Sequence, residues 1–207
     1  MKIQPGIGIV CNNIHGTLGL IVTREDKPNK LYLLSCWHVL DGGHRQSEVH
    51  LAGDDNRVIA HYQRNRETAR RDFDAALAEI DTDVDLPLSN EIFGTEHTIS
   101  RAAYSRNNLV LRKTGAATGN TRCVLKRRTS QYGDLKSGLI LAEHSSGQNI
   151  YCKPGDSGAI WCSVTSGKAI GLHARGGLEG NLAAAAPVKK ILKAFKADIA
   201  TEADFNP

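Results

Sequence analysis

Lys153-Pro154-Gly155-Asp156-Ser157-Gly158-Ala159-Ile160-Trp161 is the stretch whose reading decides the fold. Two glycines bracket an Asp-Ser pair, and an apolar run that reads as a buried strand follows at once. Glycine lets the backbone turn sharply and bring its N–H groups close to a bound group. A hydroxyl in such a turn stands exposed beside backbone donors, as acyl transfer through a serine nucleophile requires. Alone, the segment also reads as an ordinary glycine-rich turn before a strand, so its partners elsewhere in the chain decide.

The chain around it has 207 residues, 41% hydrophobic and 23% charged, which suits one globular domain or two small fused cores. Its 20 glycines, many between short apolar runs, favour an all-β chain with tight turns. The net charge of +4 is small and dispersed along the sequence, so no nucleic-acid partner is expected. The basic runs Arg64–Arg71 and Lys126-Arg127-Arg128 read as solvated faces, with a phosphate-binding patch as the alternative. Cys11, Cys36, Cys123, Cys152 and Cys162 are odd in number and lack zinc-site spacing, so free thiols, no metal and no cofactor are expected. Met1 to Gly6 carries no apolar stretch or small-residue cleavage site, and no apolar run approaches a membrane span. A cytoplasmic protein without a membrane partner is the expectation.

In chain order, Ile7–Val10 and Gly16–Val22 are apolar runs, and Leu31–Ser35 forms a hairpin with the second across the turn at Pro28-Asn29. Cys36-Trp37-His38-Val39-Leu40 follows directly, placing a histidine just past a buried strand. Arg71-Asp72-Phe73-Asp74 leads into the small apolar strand Ala75–Ile80. A polar stretch from Asp81 to about Thr98 reads as a linker. Beyond it come strands at Leu109–Lys113, Arg122–Leu125, Leu139–Glu143, Ala159–Val164 and Lys168–His173. Val188, Ile191, Leu192 and Phe195 recur at helical spacing and mark a C-terminal amphipathic helix.

Histidine, aspartate and serine thus occur in the order His38, Asp74, Ser157. Ser35-Cys36-Trp37-His38-Val39, Asp74-Ala75-Ala76-Leu77 and Gly155-Asp156-Ser157-Gly158 together resemble the motifs of the chymotrypsin/trypsin-like serine peptidases. The resemblance covers about residues 7 to 190 and is nearest to short bacterial trypsin-like domains. It implies two antiparallel six-stranded β-barrels: an N-terminal one over 1–85, a linker over 86–98, a C-terminal one over 99–186 and a helix over 187–199. It implies a serine endopeptidase acting on protein or peptide substrates, with His38, Asp74 and Ser157 as the triad. Asp72 is the fallback for Asp74. By the same resemblance, the N–H groups of Gly155 and Ser157 are expected to form the oxyanion hole, each donor contributing about 3 kcal/mol.

Several departures from the family pattern accompany the resemblance. Met1 supplies no Ile or Val ammonium to pair with Asp156. Gly115-Ala116-Ala117-Thr118-Gly119 has Ala116 where bacterial relatives carry an arginine for that pairing, so an activating partner is expected. Ala174 replaces the serine that helps hold the catalytic aspartate. In the primary pocket Tyr151 falls at the base, which offers no carboxylate to a basic P1 residue. His173 and Arg175, two apart on the wall strand, are expected on one side, with Gly176 leaving the mouth open. His173 falls where glutamate-specific and viral 3C-like relatives place a substrate-binding histidine, implying P1 Glu, Gln or Asp. Two further readings are a protease-fold module that grips a peptide without cutting it, and a cysteine peptidase using Cys152. Expression in a bacterial defence or stress setting is an analogy with relatives only.

Overall fold

The computed structural model describes residues 1–65, 68–131, 133, 135, 137–142, 152–176 and 182–205. Short strands dominate, as the spacing of glycines and apolar runs predicts. The first half holds β1 (Gly8–Cys11), β2 (Ile14–Thr17), β3 (Leu20–Arg24) and β4 (Lys27–Cys36). A short helix α1 (Trp37–Asp41) precedes β5 (Gln46–Leu51), β6 (Asp54–Gln63), β7 (Ala69–Arg70) and β8 (Ala75–Ile80). The second half holds β9 (Val110–Gly115), β10 (Gly119–Thr129), β11 (Gly138–Ala142), β12 (Ile160–Ser163), β13 (Ala169–Gly176) and β14 (Leu182–Pro187). Helix α2 (Val188–Phe195), β15 (Ala197–Ile199) and a last turn of helix α3 (Glu202–Phe205) complete it.

Among the described residues, β9 to β14 close into a six-stranded antiparallel barrel in the order β10-β11-β14-β13-β12-β9. The expected first barrel does not close. Its strands form a curled nine-stranded sheet, β15-β3-β4-β8-β6-β5-β1-β2, with β7 also paired to β8. The edge of β3 that would meet β2 is taken from Val22 to Arg24 by β15, which returns from the far end of the chain. The rest of that seam is joined without a ladder. Gly6 N–H donates to Leu18 O at 2.9 Å and Leu18 N–H to Ile7 O at 3.0 Å. The buried Asn90 amide accepts from Ile21 N–H and donates to the carbonyls of Ile21 and Ala200, each at 2.8 Å.

The helix expected over 187–199 ends at Phe195, because Lys196 turns into the left-handed region at φ 51° and the chain re-enters as β15. Its four periodic apolar residues are all buried, as predicted. The polar stretch expected as a linker is irregular but not loose. Asn90, Ile92 and Ile99 are buried along it, and Leu88 bridges back to Ile3.

Candidate active site

Asp74 organises the sheet's share of the site. A single 3-10 turn, Arg71–Phe73, delivers the chain into it, and Asp74 closes that turn in the left-handed region (φ 48°, ψ 47°). Among non-glycine residues, aspartate is one of the few that visits this region readily. Its carboxylate is fully buried and points at α1. Asp74 O accepts from Trp37 N–H and Oδ1 accepts from His38 N–H, both at 3.0 Å. Backbone N–H groups at a helix start have no partner within the helix, so an acceptor there fixes the helix in place. The second oxygen, Oδ2, lies 2.6 Å from His38 Nδ1. One carboxylate therefore positions both the backbone and the ring of His38. Asp74, not the fallback Asp72, makes this pairing.

From the barrel, the Gly155–Gly158 turn is interlocked with β2 and β4. Gly155 and Gly158 have φ of 104° and 99°. A Cβ on Gly158 would fall 2.2 Å from both Ser35 Oγ and Thr17 O, so no side chain fits there. Thr17 N–H donates to Ser157 O at 2.8 Å, and Thr17 Oγ1 donates to Gly155 O at 2.7 Å. Gly158 N–H donates to His173 O at 2.9 Å. The N–H groups of Gly155 and Ser157 donate to no partner among the described residues. Ser157 Oγ makes no hydrogen bond to His38 there either.

Between them, Asp156 points into the barrel and meets five donors. These are Lys113 Nζ (3.0 Å), Thr118 Oγ1 (2.7 Å), and the N–H groups of Ala117, Thr118 and Lys153 at 3.2, 3.1 and 3.1 Å. Lys113 is the cation whose place the sequence left open, and both side chains are fully buried. The partners' titrations differ in sense. Burial pulls Lys113 below the ordinary lysine value against the attraction of Asp156. Burial also works to raise Asp156, but Lys113, Thr118 and the Lys153 N–H outweigh it and hold its carboxyl below the ordinary value of 3.8. With five donors converging, the carboxylate is charged and the contact is an ion pair. The signal was in the strand's period: Leu111 and Lys113 share the inward face of β9 while Arg112 points away.

The wall strand departs from the expected alternation. The pairing of β13 with β14 shifts register between His173 and Arg175, so the two side chains part. His173 is buried, and its Nδ1 accepts from Trp161 Nε1 at 3.3 Å. Trp161, not singled out in the sequence, thereby sets the ring's tautomer. Burial first, then the charge of Lys113, lowers His173 to about 3. Arg175 does not face the pocket. Its Nη1 donates to Asp74 Oδ2 and to Ala174 O, and stands 3.1 Å from His38 Nδ1. Gly176 faces Cys152 closely, since a Cβ there would lie 2.9 Å from Cys152 Sγ. Tyr151 lies outside the described residues.

Cys36, His38 and Asp74 have donor atoms within 4.8 Å of one another, the one such cluster among the described residues. It is a poor metal site: burial pushes the Cys36 thiol up, its Sγ donates to His173 O at 3.1 Å, and a guanidinium already occupies Asp74. None of the five cysteines forms a disulfide. No described helix is long and apolar enough to cross a membrane.

No family model and no curated protein matches the chain. Solved structures do. One is a glutamic-acid-specific serine protease described as using a histidine triad in substrate binding, with a TM-score of 0.71 and 17% identity over 96% of this chain and 100% of that one. Another is Nocardiopsis protease, at TM-score 0.70 and 16% identity over 97% and 100% of the two chains. Thermobifida fusca protease A gives 0.67 and 16% over 97% and 100%. The chain has the fold of the chymotrypsin-like bacterial serine proteases.

Proposed function

We propose that the chain is a serine endopeptidase working through an acyl-enzyme. One observation carries the reading: the His38–Asp74 pair stands at the end of β4, against which the Gly155–Gly158 turn is locked, and among the described residues that turn leaves the N–H groups of Gly155 and Ser157 unengaged. Ser157 Oγ attacks the scissile carbonyl carbon as His38 Nε2 takes its proton. The N–H groups of Gly155 and Ser157 hold the resulting oxyanion. His38 then protonates the leaving amine, and water repeats the sequence to release the acid and restore Ser157. Asp74 keeps the Nδ1 proton of His38 in place and stabilises the imidazolium. Lys113 takes the part of an activating ammonium by neutralising Asp156 from within the barrel. No separate activating partner is then needed to complete the turn.

His173 is the specificity residue of this reading. With Nδ1 accepting from Trp161, the ring is neutral and carries its proton on Nε2, a single donor suited to the side-chain oxygen of P1 Glu, Gln or Asp. The histidine use and glutamate specificity of the similar protease support this. Arg175 restrains the resting site. Its N–H groups and the Nδ1 proton of His38 compete for one carboxylate oxygen, so Arg175 must swing off His38 for the base to act. Five cysteines without a disulfide suit a reducing compartment.

The test is labelling with a fluorophosphonate probe. The intact chain should be modified at Ser157, and Ser157→Ala and His38→Ala should not. No labelling of the intact chain would leave the non-cleaving peptide-binding module standing. Profiling on a proteome-derived peptide library should then show P1 Glu or Gln, with that selectivity lost in His173→Ala.

A further inference from the structure

The net charge is small, but the charges are unevenly distributed along the chain. Residues 97–133 carry eight Lys and Arg and no Asp or Glu, and residues 180–197 carry four lysines and no acid. The remaining positions hold 14 cations against 22 acids. The fold brings the two acid-free segments together. They line a cleft of about 530 Å³ on the C-terminal barrel, formed by the residues before β9, the end of β10, the start of β11 and the first turn of α2. Among the described residues, none of the candidate active-site residues lines it, and neither does any acidic residue.

Three details shape the cleft for a phosphate-bearing strand. Arg127 and Arg128 both line it although they are neighbours on β10, because the pairing with β11 shifts register between Leu125 and Arg127. Opposite them α2 begins with no side-chain cap and no acid in its first turn, and it places Lys189 and Lys190 there instead. Cations at the positive end of a helix oppose its dipole, an arrangement that an anion would relieve. Lys190 Nζ is steered by Ser137 Oγ at 2.8 Å, while Lys189 Nζ lies 4.4 Å from the centre of the Tyr104 ring. Tyr104 is 68% exposed, an unusual state for so large a ring.

We propose that this cleft binds single-stranded nucleic acid. Phosphodiester oxygens lie against Arg127, Arg128, Lys189 and Lys190, and a base stacks on the face of Tyr104 that Lys189 leaves uncovered. Paired guanidiniums match phosphate geometry, and an exposed aromatic amid cations is the stacking platform of single-strand binders. An acidic peptide would satisfy the cations but has no use for the ring.

The experiment titrates the full-length chain into fluorescein-labelled 12-nucleotide single-stranded RNA and DNA, reading anisotropy from 50 to 200 mM salt. Saturable binding that weakens with salt is expected. Lys189→Glu/Lys190→Glu should weaken it about ten-fold or more at low salt and lower the salt slope by about two. Tyr104→Ala should weaken binding without changing that slope. Arg45→Glu/Arg57→Glu, an equal charge change on exposed positions elsewhere, should have little effect. Circular dichroism melts of each variant separate lost binding from lost folding. The proposal is overturned if no saturable binding occurs at 50 mM salt, if the control pair weakens binding equally, or if Tyr104→Ala changes nothing. A glutamate-rich peptide of similar length binding as tightly would make the cleft a protein-docking surface and overturn it too.

Discussion

Lys113 and Asp156 show how much one buried pair decides. Asp156 sits in the turn beside Ser157, so whatever holds its carboxylate also holds the two unengaged N–H groups. Removing one partner of a buried ion pair leaves an uncompensated charge and costs about 3–5 kcal/mol. Lys113→Met should therefore lose that much stability at pH 7, read by urea unfolding, and should lose probe labelling as well. The pH dependence has a definite sign. In the intact chain Asp156 is held below 3.8, so its contribution is full above that pH and lost as pH falls through the folded value. In Lys113→Met the four other donors still act against burial, but the lysine's charge and hydrogen bond are lost. Asp156 therefore moves up from its intact value, and the deficit should shrink as pH falls through that higher value. His173, held at about 3 by burial and by the charge of Lys113, costs the intact chain stability as pH falls from 6.5 toward 3. Lys113→Met eases that depression, so His173 shrinks the deficit in the same direction. A deficit unchanged by pH would mean that lost packing, not charge, is what Lys113 supplies. Arg175 makes the opposite prediction for its own removal: Arg175→Met should speed labelling of Ser157 several-fold by freeing the Asp74 oxygen for His38. Slower labelling would instead make Arg175 the support that Ala174 no longer provides.

At the scale of elements, the N-terminal sheet is held by a side chain where a ladder is missing. Asn90 makes three hydrogen bonds at the β3 seam, to both backbone groups of Ile21 and to Ala200 O. Unpaired buried backbone groups cost about 1–3 kcal/mol each when no water replaces the partner. Asn90→Ala should lose about 2–4 kcal/mol and speed hydrogen exchange at the Ile21 amide, with little change at barrel strands β9 and β10. Equal exchange throughout would mean that the seam does not open by itself. The closed barrel was legible through the family resemblance, and most of its strands could also be read as short apolar runs between turns. This seam was not legible, because β15 and Asn90 reach β3 from about 175 and 70 residues away and carry no periodic signal. The same distinction holds in the site. His38, Asp74 and the Gly155–Gly158 turn each sit beside a recognisable strand. The separation of His173 from Arg175 depends on a register shift that no residue type announces.

Taken whole, the molecule is two sheets locked through backbone contacts at the one place where chemistry is proposed. Thr17 bonds both Ser157 O and Gly155 O, and it also accepts from Ala116 N–H at 3.0 Å, tying β2 to the barrel. Gly19 faces the same turn, where a Cβ would meet Gly158 O at 2.5 Å and Leu34 O at 2.9 Å. Both obstacles are backbone, so neither yields by changing a rotamer. Gly19→Ala must push the Gly155–Gly158 turn away from β4. The barrel need not unfold, because its inner core of Leu111, Cys123, Leu125, Leu139, Leu141, Trp161 and Ile170 packs apart from the core that the two halves share. A displacement near 1 Å between reacting groups costs about 10²-fold in rate. Gly19→Ala should therefore lower kcat by about that factor on a P1 Glu or Gln peptide, with KM changed far less, because His173 stays bonded within the barrel. Thermal unfolding should remain a single transition at a slightly lower Tm. A variant with unchanged kcat would show that the site absorbs the strain without moving Ser157, and the two halves would then be less tightly coupled than their backbone contacts imply.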